Sequence, residues 1–148
     1  MKAAIFRAGD IVVGDFPEPK PAAGQVLVKA LACGICGSGL PPAPPAPRLV
    51  EMSKRVSGRI PMDLSRDVVF GHEFCCEVLD YGPDTDRRMK PGARAVAMPV
   101  MPLSAETRTT IGYSNDYPGG YAERMVLAAP LLLDVPNGLP AGHAALTE

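Results

Sequence analysis

Three segments of this sequence carry residues whose types could do chemistry together: Gly34-Ile35-Cys36-Gly37-Ser38, Gly71-His72-Glu73 and Thr147-Glu148. A cysteine thiolate, a histidine imidazole and a carboxylate form a zinc-type donor set, and a catalytic zinc site uses three such ligands and leaves one position for water or substrate. Cys36, His72 and one of the two glutamates, Glu73 or Glu148, would supply it. Cys36 and His72 each adjoin glycine, where the backbone can bend a side chain towards an ion. Spacing alone is weak evidence, because a single Cys and a single His far apart in a chain do not define a site.

The remaining thiols read differently. Cys33 and Cys36 form a C-x-x-C, a spacing shared by zinc sites and redox motifs, but no second C-x-x-C follows, which excludes a knuckle built from two such pairs. Cys33 is expected to pack. Adjacent Cys75 and Cys76 should point to opposite faces of a strand and serve as small core residues. His143 lies on an expected C-terminal helix, distant in sequence from the other motifs, and is assigned no role.

The elements that must position these residues are short. Strands are expected at Lys2–Phe6, Ile11–Phe16, Gln25–Ala32, Phe74–Tyr81, Ala93–Met98, Tyr121–Leu127 and Leu131–Val135, separated by turn residues such as Gly82-Pro83-Asp84 and Pro91-Gly92. That pattern suggests a sandwich or barrel. The run Pro41–Pro47, with five prolines in seven residues, reads as a polyproline-like surface loop. Arg48–Val56 reads as a short helix with Leu49, Met52 and Val56 on one side, and Arg48, Lys54, Arg55 and Arg59 as a solvated basic face. A second helix is expected after Pro140, about two turns long before the chain stops at Glu148.

A chain of 148 residues fits one domain, and its 47% hydrophobic content argues against disorder. Fifteen Lys+Arg against sixteen Asp+Glu leave a net charge of −1, which disfavours a nucleic-acid partner. The N-terminus turns charged before an apolar export segment can form, and no apolar run approaches the ~20 residues of a membrane span. A cytoplasmic protein with reduced cysteines and no membrane partner is the expectation.

Read in order, GICGS, GHEF, KPGARAV, GGYAERMVL, Leu-x-VPNGL and ALTE resemble the N-terminal half of the zinc-dependent medium-chain alcohol dehydrogenases, in particular their polyol- and threonine-dehydrogenase-like branch. The resemblance covers essentially the whole chain. It implies a mainly β fold, a GroES-like, partly open β-barrel with a few short helices, filling residues 1–148 and apparently cut at its C-terminal end. It also implies one catalytic Zn2+ held by Cys36, His72, Glu73 and Glu148, with Glu73 able to approach the metal or exchange with water. Ser38 matches the hydroxyl that relays the substrate's proton, so Ser38 and Glu73 are the implied catalytic residues. Zinc would act as a Lewis acid on the oxygen of a small-molecule alcohol or carbonyl, with hydride passing to nicotinamide in the full-length enzyme.

No G-x-G-x-x-G opens a helix after a strand, so the Rossmann domain that would bind NAD or NADP is taken as absent and no cofactor-binding residue is assigned. The isolated chain is therefore expected to be inactive, and homo-oligomers are left open for a full-length form. Gly39 and Pro41 stand where the family usually has an Asp and a His, and loss of such a metal-site partner typically costs about 10–100-fold in affinity or activity. These departures support an alternative, a non-catalytic zinc-binding or truncated GroES-like module. Residues Pro99–Gly120, where many relatives hold a structural zinc with four cysteines, contain none, so a second zinc is not expected.

Overall fold

Alternation builds the centre of the domain. In a computed structural model that describes residues 1–36, 45–57 and 61–147, strand β3 (Gln25–Cys33) buries Val26 and Val28 completely and exposes Lys29 between neighbours. β3 pairs antiparallel with β4 (Phe74–Tyr81) on one side and with β8 (Arg124–Ala128) on the other. β5 (Arg94–Ala97) and β9 (Leu132–Asp134) extend the sheet beyond β4, giving the order β8-β3-β4-β5-β9. Two hairpin-like pairs complete the β structure: β1 (Lys2–Arg7) with β2 (Asp10–Asp15), and β6 (Val100–Pro102) with β7 (Arg108–Thr110). The described residues are thus mainly β, arranged as open sheets with short helices.

The main core lies on the Val26/Val28 face and includes Cys76, Met101, Ile111, Met125 and Leu127. Cys75 points the other way, into a second cluster with Val135, Ala144 and Ala145, so the two adjacent cysteines do divide between opposite faces of β4. Burial, and secondarily its neighbour Cys75, pushes the Cys76 thiol up to about 12, and it contacts the Ala95 carbonyl at 3.3 Å.

Three expectations need correction. Helix α1 spans Pro45–Ser57, so it starts inside the proline run read as a loop. Pro45 and Pro47 fall in its first turn, where the missing N–H would have had no helical partner anyway. Among its described side chains Val50 packs near Phe6 and Met62, whereas Met52 and Val56 of the expected apolar face are exposed and the Leu49 side chain lies outside those described. The hairpin β6–β7 was not expected. Strands of three residues leave too little alternation to read, and its anchors, Met101 and Ile111, are buried by tertiary packing. The C-terminal helix α2 (Ala141–Ala144) is shorter than expected, one turn docked on the sheet through Ala144. Arg48, Lys54 and Arg55 lie exposed on α1, with Arg55 paired to Glu51 at 3.3 Å, while Arg59 falls outside the described residues. No described helix is long and apolar enough to cross a membrane.

Candidate metal centre

Antiparallel pairing explains why residues distant in sequence meet. β3 ends at Cys33 and β4 begins at Phe74, and the register places those two residues opposite each other. One step further, the Gly34 N–H donates to the Glu73 carbonyl at 2.7 Å. The segment leaving β3 and the segment entering β4 therefore run side by side, carrying Cys36 on one and His72-Glu73 on the other. One ligand atom from each of Cys36, His72 and Glu73 lies within 4.8 Å of the other two. Donors around a zinc ion bonded at about 2.0–2.3 Å sit somewhat closer than this, a difference that side-chain rotation can close. The soft thiolate, the imidazole and the carboxylate fit zinc in chemistry as well as in placement.

Glycines set this closeness. Gly71 holds φ +102°, and a Cβ there would stand 2.8 Å from the Cys33 sulfur and 2.9 Å from the Tyr121 backbone nitrogen. Gly119-Gly120-Tyr121 lies along Val69-Phe70-Gly71 through three backbone hydrogen bonds of 2.8–3.0 Å, an approach that a side chain at 119 would obstruct, while a Cβ at 120 would run into Cys33. The glycines of the GHE and GGY motifs are thus packing partners of one another.

His72 is 9% exposed and its ring lies 4.9 Å from that of Tyr113. Tyr113 stacks edgewise on Phe70, which meets Phe6, so a chain of aromatic rings from β1 backs the imidazole. Arg7, next to Phe6, grips Asp67 through two hydrogen bonds of 2.8 and 2.6 Å and ties β1 to the approach to the site. Cys33 packs between Gly71 and Gly120. Burial, then the neighbouring Glu73 charge, push its thiol up to about 11, so it stays protonated at neutral pH. Burial chiefly, and then electrostatic coupling to its titratable neighbours, Cys33 and Glu73 first among them, also raises the Tyr121 phenol.

Of the residues singled out from the sequence, Cys36, His72 and Glu73 come together. Ser38 and Glu148 lie outside the described residues, as do Gly39 and Pro41. His143 is exposed on α2. Sequence reasoning gave no role of their own to Gly34, Tyr113 and Tyr121. Gly34 and Tyr121 did carry a signal, as members of the GICGS and GGYAERMVL motifs, and Tyr113 carried none. A cleft of about 730 Å³ starts at His72 and Glu73 and runs past Met98, Leu133 and Leu139 to Thr147. Its walls are mostly apolar, and Met98 and Leu133 are exposed there.

An antiparallel β domain with a Cys-His-Glu donor set at the adjoining ends of two central strands, opening on an apolar cleft, has the architecture of a GroES-like domain. Residues 22–137 match the alcohol dehydrogenase GroES-like domain, and the chain belongs to that family. Its relatives include (R,R)-butanediol dehydrogenase of Bacillus subtilis, 30% identical over all of this chain and 44% of the relative. L-threonine 3-dehydrogenase of Pyrococcus horikoshii is 26% identical over all of this chain and 41% of its own length. Among solved structures, acetophenone reductase from Geotrichum candidum in complex with NAD superposes with a TM-score of 0.71 at 29% identity, covering 99% of this chain and 43% of that one. The chain therefore spans less than half the length of these relatives.

Proposed function

We propose that this chain is the catalytic-domain portion of a zinc-dependent, NAD(P)-linked alcohol or polyol dehydrogenase, with Cys36, His72 and Glu73 as zinc ligands and Glu148 as a fourth acidic ligand. The observation that carries the reading is the convergence of a thiol, an imidazole and a carboxylate at the mouth of an apolar cleft. When bound there, zinc supplies Lewis acidity towards an oxygen-containing substrate. Cys36 and Glu73 partly offset the ion's charge. Tyr113 holds the His72 ring in orientation, and the apolar walls keep water from the reacting carbon. Ser38 takes the proton from the substrate hydroxyl and passes it outward. The nicotinamide cofactor would be bound by residues outside this chain, and the relatives' names make diols, sugar alcohols and secondary alcohols the substrate classes to try.

The test is kinetic. The gene's complete product should reduce NAD or NADP with one of butane-2,3-diol, a sugar alcohol, L-threonine or a secondary aryl alcohol, and Cys36→Ala should abolish that turnover. Gly39 and Pro41, in place of the usual Asp and His, favour a second reading, a non-catalytic zinc-binding module. Tight zinc binding without turnover on any of these substrates would select it.

A further inference from the structure

Gly34 is the residue next to the ligand set whose identity has the sharpest geometric consequence. Its N–H donates to the Glu73 carbonyl at 2.7 Å, and its carbonyl accepts from the Tyr121 hydroxyl at 3.3 Å. The residue is thus hydrogen-bonded on both sides. A Cβ on Gly34 would fall on the Glu73 carboxylate oxygen and lie 3.1 Å from the Glu73 Cβ and 3.3 Å from its Cδ. Gly34 does not occupy the left-handed region, so an alanine there carries no backbone strain. The three nearest contacts of that Cβ are all with the Glu73 side chain.

Resting on the metal-site reading above, we propose that Gly34 is a positioning residue. The empty space where its side chain would be is the seat of the Glu73 carboxylate, and that seat is what keeps the carboxylate within reach of Cys36 and His72. Any side chain at position 34 evicts it and removes one donor from the ligand set. The Tyr121 hydroxyl is the brace that holds the seat in place.

Cobalt(II) titration of the chain tests this, because the visible spectrum of bound cobalt reports ligand number and type as well as affinity. The wild type should bind one cobalt, with a thiolate band from Cys36. Gly34→Ala should keep the thiolate band, change the d–d bands and weaken binding by about 10–100-fold, the usual effect of disturbing a supporting partner. Glu73→Ala should reproduce that spectrum, and Gly34→Ala/Glu73→Ala should bind no more weakly than Glu73→Ala. A Gly34→Ala chain with wild-type affinity and spectrum would overturn the proposal. So would a Glu73→Ala chain that binds as wild type, or a double variant whose loss is the product of the single losses. Should Gly34→Ala fail to fold, a folded double variant with the Glu73→Ala affinity supports the proposal, and an unfolded one overturns it. A wild type that takes up no cobalt refutes the metal-site reading and this proposal with it. Binding lost in Cys36→Ala and His72→Ala but indifferent to position 34 refutes the proposal alone.

Discussion

Gly71→Ala separates two costs that usually arrive together. Gly9 and Gly71 hold nearly the same backbone angle, φ +98° and +102°. At Gly9 an added Cβ meets nothing within 4 Å. At Gly71 it meets the Cys33 sulfur at 2.8 Å and the Tyr121 ring and backbone nitrogen at 2.9 Å. The strain of forcing an alanine into this region, about 1–3 kcal/mol, is common to both positions. Gly71→Ala alone adds the overpacking cost of a rigid, backbone-lined contact, a further ~1–3 kcal/mol. The gap between the two variants is thus about 2 kcal/mol, a large share of the ~5–15 kcal/mol that holds a typical domain together. With a urea slope of about 2 kcal/mol/M, Gly71→Ala should unfold at a midpoint roughly 1 M lower than Gly9→Ala. The measurement is equilibrium urea unfolding of both variants with EDTA present, so that metal does not contribute. Equal midpoints would refute the claim that close approach at Gly71, and not its turn conformation, fixes the segment carrying His72.

Other outcomes follow from the same structure. Thiol alkylation of the folded, metal-free chain at pH 8 should leave Cys33 almost untouched, since a pKa of about 11 leaves roughly one thiolate in a thousand; mass mapping that finds Cys33 labelled as fast as a free thiol would contradict its burial. Tyr81→Phe removes a buried hydroxyl bonded to the Met89 carbonyl at 3.1 Å and should cost about 1–2 kcal/mol in urea unfolding. The Arg7 hydrogen bonds hold the Asp67 carboxyl below its usual 3.8. A depressed folded-state pKa contributes stability above the unfolded value that is lost as pH falls through the folded one, so stability should decline below about pH 4. Asp67→Asn should flatten that decline in acid titrations followed by circular dichroism.

How much of this was legible in the sequence depends on the range of the signal. β3 and β4 were readable because Gln25–Ala32 alternates and Phe74–Tyr81 ends in a Gly-Pro-Asp turn, both local features. The division of Cys75 and Cys76 between two cores follows from strand geometry alone. The start of α1 was missed because proline was read as a breaker, whereas in a first turn it costs nothing. The β6–β7 hairpin and the role of Val50 depend on distant partners that no local pattern encodes. At the site, the residue types and motif order pointed to Cys36, His72 and Glu73, but not to the register that joins them. Gly34 and Tyr113 matter only through what touches them, and that becomes visible only when β3 and β4 lie side by side.

The central claim is that Cys36, His72 and Glu73 hold one metal ion. It is tested most directly by elemental analysis of the purified chain after zinc loading and exhaustive dialysis. The account predicts about one zinc per chain, and little or none retained by Cys36→Ala or His72→Ala, because removing one donor from so small a set removes most of the binding. A zinc-free wild-type chain, or one zinc retained by both variants, would contradict it.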